Sequence, residues 1–317
     1  MKLVFRLATF SLVFNIVTSI FFILLGILLF YVVYRTKQRW SINVFYKGAL
    51  LTSVLLGLFF IGYGIFILSL FSHRRFEKIQ KSASTIGVLY KLKGIVVPNV
   101  SSLKYKMPPV LDQGSLPTCL SNAMSNCLKF HMNNKFQPSR LYFHYNSFIN
   151  IQKGSIKKAA TRGISLEDIL KTFSTYKYCD ERLWPYYWWR VWTVPSQKAY
   201  KDINNHPNVT FSSVEQNLEH LKEVLQHEPI IVCFRVYRSL FYFTTFMTGY
   251  VPMPGPTEKS TSGHCVLLCG YNDNKRLFTI QNSWGIFSGD SGYYYMPYDY
   301  ILNPDMAWGF LTIKIAS

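Results

Sequence analysis

Charged residues are scarce in this sequence. They make up 16% of its 317 residues, whereas soluble domains carry about 25%. Much of the deficit falls in two stretches, because residues 7–34 and residues 48–72 contain no charged side chain. Each stretch is longer than the ~20 residues that cross a bilayer as a helix. Neither shows the polar face of a soluble helix, so the pattern predicts a transmembrane hairpin over residues 1–73.

A small-residue cleavage site is also missing after the first apolar stretch, which argues against a cleaved signal peptide. Two spans place both ends of the hairpin on the same side of the membrane. The ends carry six basic residues and the loop carries four, namely Lys2, Arg6, Arg74, Arg75, Lys78 and Lys81 against Arg35, Lys37, Arg39 and Lys47. The excess favours a cytoplasmic location for the ends. The glycosylation sequons at Asn99 and Asn208 are usable only on the opposite side.

Acidic residues are outnumbered, with 16 Asp and Glu against 34 Lys and Arg, for a net charge of +18. About half of this excess lies in residues 1–81, where it can meet anionic lipid headgroups. The remaining positive charge is spread along the chain without a ladder of alternating basic and aromatic residues. We therefore expect a lipid bilayer as a partner and no nucleic acid.

The sequence after the hairpin divides into a linker and a globular domain. Residues 74–106 are polar and mixed, which is typical of a tether. Residues 107–317 are long enough to bury a substantial core. Helical spacing of leucines in 215–228 and β-rich runs in 230–237, 263–271 and 276–285 predict an α+β domain with an antiparallel hairpin.

Cysteine is limited to six residues, and one of them has an unusual setting. Cys119 lies in the segment DQGSLPTCLSNA (112–123) and opens a predicted helix. His264 begins one predicted strand and Asn282 lies near the end of the next, so the two are close in an antiparallel hairpin. A helix N-terminus and an imidazolium both stabilise a thiolate, and Asn282 can orient the imidazole. The backbone N–H of Cys119 and the amide of Gln113 are candidate donors to an oxyanion.

These segments resemble the signature blocks of papain-like cysteine peptidases, namely DQGSLPTCLSNA, GHCVLLCGYND and IQNSWG. His264 follows Cys119 by 145 residues, within the ~130–150 expected for that family. More narrowly, the chain resembles a branch found in bacteria and some large DNA viruses, and SRLYFHYNSF, RLWPY and SGYYYMPYDYI support that likeness. A viral membrane is therefore one candidate location.

The resemblance implies a two-lobe fold, with a helical lobe carrying Cys119 and a β-barrel-like lobe carrying His264 and Asn282. It implies that Cys119 is the nucleophile, His264 the general base and acid, and Asn282 its orienting partner. Gln113 would complete the oxyanion hole, and Trp284 would shield the histidine–asparagine pair from water. The implied activity is peptide-bond hydrolysis through an acyl-enzyme, without a metal or another cofactor.

Three alternatives remain open at this point. The chain is an inactive scaffold or binding protein at a membrane, a transpeptidase that uses the same site, or an isopeptidase for a protein modifier. Neither the substrate nor the oligomeric state follows from the sequence.

Other conspicuous residues receive structural interpretations. We expect the remaining cysteines, Cys127, Cys179, Cys233, Cys265 and Cys269, to be buried core thiols. The aromatic run LWPYYWWRVW (183–192) is expected to pack in the core or between lobes, with a surface for substrate or membrane as the alternative. Histidines such as His144 are expected on the surface or on helices.

Overall fold

The computed structural model describes residues 97–315. Both apolar stretches of the predicted hairpin lie outside these residues. Within residues 97–315, no helix combines the length and the hydropathy that crossing a bilayer requires.

A seven-stranded antiparallel sheet forms the centre of the described domain. Six strands follow the order β2-β7-β3-β4-β5-β6, and β1 pairs with the far end of β4. The strands are β1 (Val100–Ser102), β2 (Val209–Ser213), β3 (Ile230–Val236), β4 (Ser262–Asn272), β5 (Leu277–Gln281), β6 (Tyr293–Pro297) and β7 (Ala307–Ile315). The predicted hairpin corresponds to β4 and β5, so the prediction of an α+β domain is confirmed.

The central strands β3 and β4 are buried on both faces of the sheet, which explains their nearly continuous apolar sequences, whereas β1 and β2 are partly exposed. On β3, Ile231 and Cys233 belong to one core, whereas Ile230, Val232 and Phe234 belong to the other. We call the first the helix-facing core, because it also contains the helices that follow β1. The second, the distal core, includes residues of the helices on the opposite face of the sheet.

Seven α-helices accompany the sheet in the described residues. They are α1 (Cys119–His131), α2 (Arg140–Tyr145), α3 (Leu166–Tyr176), α4 (Gln197–Asp202), α5 (Leu218–Val224), α6 (Phe243–Thr248) and α7 (Tyr298–Leu302). Helix α1 is buried over most of its length and packs on β3, β4 and β7. This packing fixes the start of α1 against the strand that carries His264.

The segment before Met107 also pairs with the sheet. Strand β1 runs antiparallel to the end of β4, with Val100 opposite Asn272. Leu103, which follows β1, is 2% exposed and lies in the helix-facing core. These residues fall within the predicted linker, 74–106. Their polar composition does not predict a strand, and β1 is recognisable only from its pairing with β4.

The expectation that every cysteine is a core thiol is wrong for one pair. Cys233 and Cys265 form a disulfide between β3 and β4, where the register places them directly opposite each other. Cys127, Cys179 and Cys269 are buried free thiols as expected. The sequence showed that Cys265 and Cys269 share a face of one strand, but the partner of Cys265 lies on another strand 32 residues away.

Candidate active site

Cys119 is the first residue of α1, and no side chain caps that helix. The side chain of Thr118, at the N-cap position, makes no capping hydrogen bond. Its hydroxyl instead lies 2.5 Å from the Tyr186 hydroxyl. A helix start leaves several backbone N–H groups without an intrahelical partner. Here the N–H groups of Cys119 and Leu120 interact with the Cys119 sulfur, as does the N–H of Cys265 from β4.

The environment of the sulfur favours a neutral thiol at rest. Cys119 is 6% exposed. Burial raises the pKa of its thiol to about 11, against the lowering effect of the three backbone N–H groups. A neighbouring base must therefore take the proton before the sulfur becomes a good nucleophile at neutral pH. The contact with Cys265 places the sulfur beside the residue that directly follows His264.

His264 is held by Asn282 through one hydrogen bond of 2.8 Å between Nε2 and Oδ1. The same Oδ1 accepts a second hydrogen bond from the backbone N–H of Ser283, which identifies this amide atom as the oxygen. Because an amide oxygen only accepts, Nε2 carries the hydrogen, and Nδ1 is the basic nitrogen of the neutral ring. The hairpin thus fixes both the position and the tautomer of the imidazole.

Trp284 covers this pair. Its ring stacks on His264 with centroids 5.0 Å apart and planes inclined by 26°. Phe241 stacks on Trp284 in turn, and Tyr294 meets it edge-on, both at 5.8 Å. These rings exclude water from the His264–Asn282 hydrogen bond, which strengthens the bond in the resulting low-dielectric environment.

Gln113 lies in a segment that is paired with the loop after β5. Its backbone N–H donates to Ser283 O at 2.8 Å, and the Gly285 N–H donates to Leu111 O at 3.1 Å. The Gln113 amide donates to Leu116 O at 2.9 Å and accepts from the Ser283 hydroxyl at 2.6 Å. The carboxamide therefore has a fixed orientation, and its NH₂ group has one further hydrogen to donate.

Gly285 permits this close pairing. Its φ of +75° is unfavourable for other residues, and an added Cβ would lie 3.2 Å from the Asp112 carboxylate. The position therefore favours glycine for its backbone conformation, and an added Cβ would require the Asp112 side chain to shift.

A buried arginine supports the same segment, a role that its sequence context does not reveal. Arg140 is 7% exposed and makes a bidentate ion pair with Glu181, with N–O distances of 2.7 and 2.9 Å. Its Nη1 also donates to Asp112 O at 3.1 Å and to Asn122 Oδ1 at 3.0 Å. One guanidinium thus joins the Gln113 segment to helix α1.

Tyr186 completes this support. The Arg140 guanidinium lies 3.7 Å from the centre of its ring. The Tyr186 hydroxyl contacts Thr118, as described above, and donates to Gln113 O at 3.0 Å. Arg140 and Tyr186 fall within SRLYFHYNSF and RLWPY, so the sequence marked both segments, but only the fold shows that they meet.

The structure brings the five residues predicted from the sequence into one region. Cys119 contacts the strand of His264, His264 bonds to Asn282, Trp284 stacks on His264, and Gln113 bonds to Ser283. This arrangement supplies a sulfur, an imidazole and backbone donors at a helix start. Such a set suits nucleophilic attack on a carbonyl carbon.

Comparisons with known proteins agree with this chemistry. The family model described as papain family cysteine protease matches residues 104–304. An uncharacterised peptidase C1-like protein of Acanthamoeba polyphaga mimivirus is 29% identical over 254 residues, which cover 74% of this chain and 80% of that protein.

Solved structures show the same relationship. Xylellain, a cysteine protease from Xylella fastidiosa, superposes with a TM-score of 0.68 at 30% identity, over 76% of this chain and 96% of its own. Digestive procathepsin L 3 of Tenebrio molitor larval midgut shares the fold at 15% identity, with a TM-score of 0.60 over 80% of this chain and 81% of its own. The chain therefore belongs to the papain family of cysteine proteases and is a cysteine-type peptidase.

Proposed function

We propose that this peptidase is a membrane-anchored endopeptidase that uses Cys119, His264 and Asn282. In the first step His264 Nδ1 takes the thiol proton while the sulfur attacks the peptide carbonyl carbon. The C=O π electrons move onto the oxygen, which the backbone N–H of Cys119 and the amide of Gln113 stabilise. Two contacts carry this proposal. His264 donates a hydrogen bond to Asn282, and the backbone N–H of Cys265, the next residue on the same strand, contacts the Cys119 sulfur.

Collapse of this intermediate breaks the C–N bond. The imidazolium returns its proton to the departing amine, and the acyl group stays on sulfur as a thioester. A water molecule then attacks the thioester as His264 takes its proton, which releases the carboxylic acid and restores the thiol. Asn282 holds the imidazole in one orientation during both proton transfers, and Trp284 keeps water away from that hydrogen bond.

The test uses the full-length chain, a peptide blocked at both ends and a thiol-directed epoxide probe. We expect cleavage at an internal bond and one labelled cysteine. Cys119→Ala is expected to abolish both, whereas the control Cys127→Ala, which removes a buried thiol from the same helix, retains both. Labelling that persists in Cys119→Ala contradicts the proposal, and a folded wild-type chain that neither labels nor cleaves supports a scaffold instead.

The same proposal includes anchoring by residues 7–34 and 48–72, with the peptidase domain on the cytoplasmic side. The support is the length of both uncharged runs and the excess of Lys and Arg at their ends. The anchored chain is expected to resist extraction by alkaline carbonate. In sealed vesicles with the cytoplasmic face outward, protease is expected to digest the peptidase domain, and full protection contradicts the proposed orientation.

A further inference from the structure

A group of large aromatic side chains is exposed next to a basic segment. A short 3₁₀ turn, Trp188–Trp192, presents three tryptophans to solvent, and Tyr187 precedes it. The exposed fractions of Tyr187, Trp188, Trp189 and Trp192 are 46%, 60%, 50% and 41%. The expectation that this aromatic run packs in the core is therefore wrong for these four residues, although Trp184 and Val191 are buried.

The rings form a supported surface. Tyr187 and Trp189 stack at 4.8 Å with an interplanar angle of 3°, and Trp188 meets both Trp189 and Trp192 edge-on at 5.9 and 5.8 Å. The Arg190 guanidinium lies 4.6 Å from the Trp184 ring and 5.3 Å from the Tyr187 ring. With Val191 buried beneath the turn, the exposed rings are held in place before anything binds them.

Positive charge adjoins these rings. The turn packs beside a second 3₁₀ turn, Ile156–Lys158, in which Lys157 and Lys158 are exposed. Residues 153–162 and 183–201 contain no Asp or Glu and carry Lys153, Lys157, Lys158, Arg162, Arg190, Lys198 and Lys201. Among residues 97–315, no carboxylate lies within ion-pair distance of Lys157 or Lys158. We call Tyr187, Trp188, Trp189, Trp192, Lys157 and Lys158 the basic–aromatic face.

We propose that the basic–aromatic face docks on the surface of an anionic lipid bilayer. Trp and Tyr favour the headgroup region because one part of each ring system is apolar and another is polar. Basic side chains near a membrane surface are attracted to anionic headgroups. The combination of exposed aromatic rings and basic side chains therefore fits a lipid interface better than an enclosed peptide cleft.

The position of this domain in the chain supports the choice of occupant. This step rests on the anchoring proposed above, because residues 7–34 and 48–72 would keep the domain near a bilayer. The 24 residues of 73–96 span up to about 80 Å when extended, so the face can reach the surface whatever its direction. A tethered domain experiences a high effective concentration of lipid, and weak contacts then suffice for docking.

Docking of this face would also orient the active site. Tyr187 directly follows Tyr186, whose hydroxyl bonds to Gln113 O and contacts the Thr118 hydroxyl. The face is therefore joined by a short segment to the residues around Cys119. An enzyme docked in this way would present its cleft at a fixed height above the membrane and would favour substrates close to the bilayer.

The test measures lipid contact in the full-length chain. The chain is reconstituted in vesicles that contain anionic lipid and lipids brominated in the acyl chain, and tryptophan quenching is measured. We expect strong quenching in the wild type and a clear loss in the variant Lys157→Glu, Lys158→Glu, which keeps every tryptophan of the face. The matched control Lys135→Glu, Lys259→Glu changes exposed lysines elsewhere and is expected to leave quenching unchanged.

A second measurement separates docking from anchoring. A cleavage site for a specific protease is inserted in residues 74–96, the folded chain is cut on the vesicle, and the domain that stays bound is quantified. We expect about tenfold less retention for the variant Trp188→Ser, Trp189→Ser, Trp192→Ser and for Lys157→Glu, Lys158→Glu, and no change for Lys135→Glu, Lys259→Glu, whose exposed lysines lie outside the face.

The outcomes are distinguishable. Equal quenching in the wild type and the Lys157→Glu, Lys158→Glu variant, together with equal retention of the wild type and both variants of the face, overturns the lipid-docking proposal. If carbonate extracts the uncut chain, the anchoring proposal fails, whereas retention of the cut domain still reports on the face alone. Circular dichroism and epoxide labelling of Cys119 confirm that each variant is folded.

Discussion

Two regions meet at the proposed active site, and they hold their side chains by different means. The start of α1 is fixed by polar contacts, in which Arg140 and Tyr186 hold the backbone around Cys119. His264 is paired with Phe234 of β3, Asn282 directly follows β5, and a stack of aromatic rings holds both in place. The proposed nucleophile therefore depends on buried charge, whereas the proposed base depends on apolar packing. Substitutions in each region should fail in different ways.

The largest effect is expected from removal of the base. His264→Ala should reduce kcat/KM by about 10³-fold, because the thiol then has no group to take its proton. With a pKa raised to about 11 by burial, Cys119 should be alkylated by iodoacetamide in this variant only as pH approaches 11. In the wild type alkylation should extend to neutral pH. Identical pH profiles would show that the imidazole does not act on the sulfur.

Removal of the buried Arg140 should give the next largest effect. It should disturb the start of α1 more than the β4–β5 hairpin, because its contacts are with the Gln113 segment and α1. Arg140→Met leaves the partly buried Glu181 without its partner, which costs at most about 3–5 kcal/mol of unfolding free energy. Activity should also fall by about 10²-fold, since the Gln113 segment and the start of α1 lose a shared contact. Denaturant unfolding and kcat measure the two losses separately.

The double variant Arg140→Met, Glu181→Leu is the control for this result. It removes the unpaired carboxylate and should recover most of the stability without recovering the activity. Recovery of both would show that Arg140 contributes only to folding and does not position the active site.

Loss of the aromatic cover should have a smaller effect that is confined to the hairpin. Trp284→Ala exposes the His264–Asn282 hydrogen bond to water and should lower kcat by about tenfold, whereas Trp284→Phe should retain most of the activity. KM should change little, and the denaturant midpoint should fall only slightly because Trp284 is partly exposed. An unchanged kcat in Trp284→Ala would rule out a role for the stack in holding the base.

The smallest effect on activity is expected from a histidine that the proposed mechanism does not use. His144 was expected on the surface or on a helix, and it lies in α2 but is 1% exposed, with Nε2 bonded to Ala159 O at 2.8 Å. Burial lowers its pKa to about 4. The native state contains the neutral ring, so protonation of His144 favours the unfolded chain. Its contribution to the free energy of unfolding is therefore complete above pH 6.5 and is lost as pH falls toward 4.

This loss amounts to about 3 kcal/mol at most, because one pKa unit corresponds to about 1.4 kcal/mol. Unfolding by urea at pH 7 and at pH 4.5 measures it, and His144→Gln should reduce the difference between the two conditions. Activity of His144→Gln at neutral pH should match the wild type. An equal acid dependence in both proteins would assign the acid sensitivity to other groups.

Much of the site was visible in the sequence because its parts are local. Gln113 and Cys119 lie on one short segment before one helix, and His264 and Asn282 lie on one hairpin whose turn was readable from its residues. The spacing of these segments and the strand and helix patterns predicted an α+β domain that the structure contains. The sequence also contains the two uncharged runs, which remain a prediction of membrane anchoring.

Other features were decided by tertiary structure, for physical reasons. The Cys233–Cys265 disulfide depends on the register between two strands, and register is set by the packing of both faces of the sheet. The role of Arg140 depends on contacts with Asp112, Asn122 and Glu181, which lie up to 41 residues away in the chain. The exposure of Trp188, Trp189 and Trp192 depends on which side of a short turn faces the core. Composition determines how much apolar surface a chain has, but only the folded arrangement determines which part of it remains in contact with solvent.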